Sequence, residues 1–491
     1  MTTLQLAAAR LKIDGPVLND HVSPNADISV LAGNSELTLD PSVPATSTLR
    51  PLVKERRDLG GASTEYLVDV TPNGYMRASK VKIAVSSKGA GVSFAGRGES
   101  TIGAFHIDAS GKIATRGARI TGESGVRLAG GAVEVLNSPV EQGHIQSNSG
   151  PVTVLASSGN VDIEGVLLGE VLNSSDPDAR GAVTISAAGD INLMSENADR
   201  LAIAYGSRGD VFVQAGGNLL NRDGRILSNG NIAIKTGGRF DNTTTILDTV
   251  DAGAPTIVVK RKKFWMSWLF GKRKTVITTF DYGRTFIPND RALVFGSSVS
   301  IDSEDLVNSG EISAADGSLE IRARNVRNEA VWTGTISLVK QCGIVCWSKG
   351  QTDINVIGGV MNAQYGLSID ASAQVYNNGG QITSYGDLEI NAPSVETYAA
   401  FVPTIINRPA GMENFWVGRR AWIAWQPAGG YIYAPVGSLI LNTDTPVVID
   451  GALVEGAAGT EIPAGTKIIK EYQSYGPYPD RPIGLFRGAI P

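Results

Sequence analysis

Short aliphatic pairs alternate with small polar residues along most of the chain. Residues Gly217 to Asn242, GNLLNRDGRILSNGNIAIKTGGRFDN, hold two such groups, Ile226-Leu227 and Ile232-x-Ile234. A glycine-bearing turn precedes each, Asp223-Gly224 and Asn229-Gly230, while Asn221 and Asn242 close the unit. A period of two places the apolar members on one face of a strand. Strands with only two inward residues cannot bury a sheet alone, so successive copies must stack.

Residues 305–328 repeat the plan with Asn308, Gly310, Ile312, Gly317, Leu319-x-Ile321 and Asn328. Residues 375–392 repeat it again with Asn377, Gly380, Ile382, Gly386 and Leu388-x-Ile390. Looser copies fill the middle: Val126-x-Leu128, Val152-x-Val154, Val161-x-Ile163, Val183-x-Ile185, Ile191-x-Leu193 and Val211-x-Val213. A repeat of about 20 residues with strands and no helical period predicts an all-β solenoid. Crossovers between parallel strands favour one hand, so the expectation is a right-handed parallel β-helix. Some 14 coils, each advancing about 4.8 Å, predict a rod on the order of 65 Å. Asparagine tolerates left-handed backbone, and its amide can bond to the amide one coil above. Asn221, Asn242, Asn308, Asn328 and Asn377 are therefore expected to form a structural ladder.

Two segments break the period. TIVVKRKKFWMSWLFGKRKTVITTF predicts a hairpin over about 257–280, with Ile257-Val258-Val259 outbound and Thr275-Val276-Ile277 returning. Its tip carries Phe264, Trp265, Trp268 and Phe270, flanked by Lys262, Lys263, Lys272 and Arg273. Rings beside cations suit an anionic glycan or a membrane interface. The plainer reading is a tip folded back on the solenoid, with lysines guarding a strand edge. A second hairpin is expected over about 331–351, tipped by Cys342 and Cys346. Two cysteines four residues apart fit a disulfide across a tight turn, with free thiols or a metal site as alternatives. Both interruptions follow an asparagine of the repeat, Asn242 and Asn328.

The order Gly74-Tyr75-Met76-x-Ala78, Lys80-x-Lys82-Ile83, Gly89-x-Gly91-Val92, Ala95-Gly96 and Ile107-Asp108-Ala109-x-Gly111 resembles the end of the secretion domain of filamentous haemagglutinin-like exoproteins. The asparagine-glycine repeats that follow resemble the haemagglutinin repeats of that two-partner secretion family. The resemblance implies a β-helical adhesin shaft, secreted through an outer-membrane partner and displayed on the bacterial surface. It implies attachment to glycans or receptors of host or sister cells. The family's secretion signal and its Asn-Pro-Asn-Leu-type motif are not seen here, so the chain reads as lacking its N-terminal start. The expected organisation is a secretion-domain-like N-terminal cap over 1–80, a shaft over 81–400 with the two hairpins, and a C-terminal capping region over 401–491. Trp416, Trp422 and Trp425 fall in the last of these.

Composition narrows the classes. Glycine supplies 58 of the 491 residues with no collagen period, and charged residues are 19%, which suits an elongated body with small polar outer positions. A net charge of −5 points away from nucleic acid. No apolar run reaches the roughly 18 residues that a membrane-spanning helix needs. A polysaccharide-degrading enzyme is the main rival, since such sites need carboxylates clustered on neighbouring coils. The aspartates at Gly189-Asp190, Gly209-Asp210 and Gly386-Asp387 are ordinary turn chemistry, and no cofactor or metal motif is visible. The stalk of a contact-dependent inhibition exoprotein is a third reading.

Overall fold

The computed structural model describes residues 3–470, apart from 22, 24–25, 45–52, 60, 172–180, 251–255, 264–267, 269–272, 288–290, 343–345 and 409–419. Within them the chain is a right-handed parallel β-helix. Each coil carries three short strands. Those in the first and second positions of successive coils join one parallel sheet of 28 strands, and those in the third position form a second sheet of 14, both counted among the described residues. The first coil is Thr3–Ala8, Leu11–Ile13 and Pro16–Leu18; the fourteenth is Ser438–Asn442, Val448–Asp450 and Val454–Gly456. Gly459–Glu461 and Lys467–Lys470 open a fifteenth.

The coils stack in register. One interior column of the first position runs Val126, Val152, Val183, Val211, Ile232, Val299, Leu319, Leu367, Leu388 and Leu439. These aliphatics belong to a single continuous apolar core that reaches from Ile13 to Ala452. The solenoid therefore exceeds the expected limits of 81 and 400 at both ends. Residues 1–80, expected as a cap, carry two full coils and a hairpin of Ser35–Leu39 against Val53–Asp58. Beyond 401, coil strands resume at Tyr431–Ala434, because Ile432 and Ala434 continue the inward column of the third position.

An interior column of the second position changes chemistry midway. It runs Ile13, Val70, Phe94, Thr115, Val135, Ile163, Leu193, then Asn221, Asn242, Asn308, Asn328, Asn377, Thr397, and ends on Ile449. All five asparagines and Thr397 are fully buried. Each asparagine donates its Nδ2 to the next acceptor up the rod: Asn221 to Asn242 at 2.7 Å, Asn242 to Asn308 at 2.8 Å, Asn308 to Asn328 at 2.9 Å, and Asn328 to Asn377 at 2.9 Å. Asn377 passes the chain to Thr397 Oγ1 at 3.1 Å, and Thr397 donates to the Gly430 carbonyl at 3.0 Å.

Candidate attachment surface

Three insertions leave the rod at one corner, between the second and third strands of a coil. The first follows Thr243, the second Glu329 and the third Tyr398. They occupy alternate coils, the ninth, eleventh and thirteenth, while the tenth and twelfth turn directly from Asn308 to Glu311 and from Asn378 to Gln381. A hairpin is about two strand spacings wide, roughly 9.6 Å, and that equals two coil rises. Hairpins on consecutive coils would collide; on alternate coils they meet.

The first two insertions pair into one antiparallel sheet. Thr256–Lys262 and Thr245–Val250 both pair with Arg273–Ile287, with Val259 opposite Val276. Arg273–Ile287 in turn pairs with Val331–Cys342, and that strand with Cys346–Ile357. The third insertion, Ala400–Arg408 against Arg420–Ala428, packs on Cys346–Ile357. Phe280, Tyr282, Trp332, Ile336, Leu338, Val402, Ile405 and Ala421 form a second small core between the three. Tyr282 meets Trp332 edge-to-face at 5.2 Å, and the Arg284 guanidinium lies 4.5 Å above Trp332.

Polar bonds lock the third insertion on. Asn407 accepts from the Gly350 amide at 3.1 Å and donates to the Gly350 carbonyl at 2.9 Å. The Ile405 amide donates to Thr352 Oγ1 at 2.6 Å, and Ser348 Oγ donates to the Ala421 carbonyl at 3.0 Å. Gly350 is required here: a Cβ would stand 2.6 Å from Ile405 Cγ2, too close without prying the layers apart. Trp422 and Trp425 accordingly belong to this lateral module and not to a cap over the end of the helix; Trp416 lies outside the described residues.

The module gathers positive charge. Its three segments, 245–287, 331–357 and 400–428, hold thirteen Lys and Arg against five Asp and Glu. The chain as a whole holds 43 against 48, so the remainder carries thirty against forty-three. A basic module thus stands on an acidic rod. Lys260, Arg261, Lys262 and Lys263 are exposed along an edge strand whose Ile257 is 62% exposed. Arg261 stands opposite Lys274, and like charges placed opposite one another cost stability. Trp268 is 80% exposed and Trp347 also faces solvent. Phe264, Trp265, Phe270 and Lys272 lie outside the described residues. Cys342 is disulfide-bonded and stands in register with Cys346, the chain's only other cysteine.

Carboxylates converge at a different corner, where a groove of about 1120 Å³ includes Asp302, Asp370, Asp444 and Glu461 in its lining. Two of the four have partners. Lys235 Nζ is 3.6 Å from Asp302, Arg322 Nε is 3.9 Å from Asp370, and Asn391 donates to Asp370 at 2.8 Å.

No family model, no curated protein and no solved structure matches the chain.

Proposed function

We propose that the chain is the shaft of a surface adhesin of the filamentous haemagglutinin-like kind, exported through an outer-membrane partner, and that its lateral basic module makes the contact with a negatively charged cell surface. The charge separation carries the reading: a cluster of uncompensated cations, with tryptophans exposed beside it, projects from a rod of the opposite sign. Anionic surfaces attract the module and repel the rod, so the molecule would bind side-on through one point and keep the rest of its length clear. Each cation near an anionic surface contributes about 1 kcal/mol, and an exposed indole adds interfacial burial.

The test replaces Lys260, Arg261, Lys262 and Lys263 with Gln in one variant and Trp268 with Ser in another. Four lost charges should weaken binding to phosphatidylserine vesicles by at least about a hundredfold. The melting temperature should hardly change, because these side chains stand in solvent. Unchanged vesicle binding would end the reading.

A further inference from the structure

A second cluster of exposed cations lies toward the other end of the rod, far from the module in sequence. Among the outward positions of the third strand, Tyr75, Arg97, Arg119 and His144 form one column on four successive coils. Two arginines thus sit directly above one another, separated by about one strand spacing, 4.8 Å. Arg116 joins them from the end of the preceding strand in the same coil as Arg119. All three are exposed, and among the described residues none has a carboxylate partner or a side-chain hydrogen bond. Several other shaft arginines are compensated, among them Arg77 by Asp20 and Glu99, Arg127 by Asp108, and Arg324 by Glu304 and Asp305.

Two acids, Glu99 and Glu141, also line the groove formed by these arginines, and Glu99 is already committed. Glu99 accepts the Tyr75 hydroxyl at 2.9 Å and lies 3.6 Å from Arg77 Nε. The three free guanidinium groups line one groove of about 1030 Å³. Glycine backbone at Gly74, Gly96 and Gly117 also lines it, with a Cβ at Gly96 running into the Gly74 carbonyl oxygen. The far wall is the 138–141 loop, which holds Val140 at 85% exposure over the groove. That loop is pinned from another coil: Arg200 donates to the carbonyls of Ser138 at 2.7 Å and Pro139 at 2.9 Å. Three arginines against one uncommitted acid, Glu141, an aromatic ring and a pinned loop carrying an exposed Val140 therefore meet in one cleft.

We infer that this groove binds an acidic saccharide, with a carboxylate bridging Arg97 and Arg119 and a sugar ring lying against Tyr75. A planar carboxylate accepts paired N–H donors from guanidinium groups, and binding it relieves the repulsion that the stacked pair carries when empty. Arg116 sits at the corner to take a second acidic group along the chain. The site extends the attachment reading but does not depend on the module.

The experiment titrates the full chain by calorimetry at low salt with a short oligogalacturonate, with its methyl ester, and with a linear oligophosphate. The acid oligomer should bind and the ester should not. Arg97→Gln combined with Arg119→Gln should weaken uronate binding more than about tenfold, the scale of a lost charge-assisted contact. The same variant should melt no lower than the parent, since a repulsion has been removed. The Lys260–Lys263 variant should bind uronate normally, so loss of vesicle binding there with uronate binding intact separates this site from the module. The inference is overturned by absence of uronate binding, by equal binding of the ester, by oligophosphate binding in place of uronate, by an unaffected double variant, or by loss of uronate binding in the Lys260–Lys263 variant.

Discussion

The same interior column is hydrocarbon in one half of the rod and amide in the other. Val70, Phe94, Val135, Ile163 and Leu193 fill it below, interrupted once by Thr115, whose hydroxyl donates to the Glu134 carbonyl at 3.0 Å; Asn221, Asn242, Asn308, Asn328 and Asn377 fill it above. The lower coils close the adjoining corner with shorter connections. Where they open it modestly, at 137–143 and 195–202, single side chains supply the bonding: Asn137 accepts from the Gly143 amide at 3.1 Å and donates to the Glu164 carbonyl at 3.3 Å, and Ser195 accepts from the Ala202 amide at 3.0 Å and donates to the Asp223 carbonyl at 2.6 Å. The upper coils open it by tens of residues. Holding the ends of such an insertion together costs about 3 kcal/mol more than closing a tight turn.

The hydrocarbon side chains of the lower column give no directional bond at that corner; the ladder does. Besides the contact along the column, Asn308 donates to the Val360 carbonyl at 3.0 Å and Asn328 to the Gly359 carbonyl at 2.6 Å. Both carbonyls belong to the chain as it re-enters the rod after the second insertion. At about 1 kcal/mol net per hydrogen bond, two bonds per coil are comparable with the closure cost. The lesson is that a solenoid can carry a side module without losing register if the branching coils replace apolar stacking with a bonded column.

The largest expected effect comes from cutting that column at its centre. Asn308→Leu keeps the number of side-chain heavy atoms but strands the Asn242 amide N–H and the Asn328 Oδ1 in a dry interior. At about 1–3 kcal/mol for each unsatisfied buried group, the loss should be about 2–6 kcal/mol in urea unfolding. A loss below about 1 kcal/mol would show that the ladder is ornament and the apolar columns hold the coils alone.

How much of this contrast could be read from the chain itself depends on distance along it. The aliphatic pairs and the asparagines 20 or 21 residues apart point to coil and ladder directly, because both are local periodicities. The two hairpin registers follow from apolar strands facing each other across a short tip. Membership of the third insertion in the module is not local. It leaves after Thr397, which occupies the ladder position 20 residues beyond Asn377, but threonine hides the asparagine signal there. The shift toward Trp and Pro in that stretch resembles a cap for the same reason that a small packed module does: both need a core of their own. The groove arginines were equally hidden. Arg97 and Arg119 are 22 residues apart, and only the coil register places one above the other.

The junction between the two halves should respond to pH. Asp223 is buried at φ 55°, and its Oδ1 accepts the Thr245 amide at 2.7 Å where the first insertion starts. Burial holds its carboxyl above the usual carboxylate range, against the hydrogen bonds from Thr245. A group raised in this way binds more protons folded than unfolded. Its contribution to stability is complete below the ordinary value of about 4 and is lost as pH rises through the folded value. Asp223→Asn keeps the acceptor and suits the left-handed backbone but removes the ionisation. Stability of the parent relative to the variant should therefore fall as pH rises above about 4, read as urea midpoints. A difference that grows in the opposite direction would mean that the ionised carboxylate helps to anchor the insertion.

The smallest effect is expected one residue pair away, and it is the sharpest comparison with Asn308. Asn221 is the first amide above Leu193, and its Oδ1 has no hydrogen-bond partner among the described residues. Asn221→Leu leaves the Asn242 Oδ1 without its donor, a cost of about 1–3 kcal/mol. It also removes the orphaned Asn221 oxygen, a gain on the same scale, and lets hydrocarbon rest on Leu193. The two nearly cancel, so the net change should lie within about 1 kcal/mol. The same substitution in the same column thus costs several kcal/mol at one position and almost nothing two coils earlier in the ladder, and the gap between the two measures what an amide gains from having neighbours on both sides. Equal losses at Asn221 and Asn308 would show that each amide acts alone through its own coil, and the bonded-column account of branching would fall with that result.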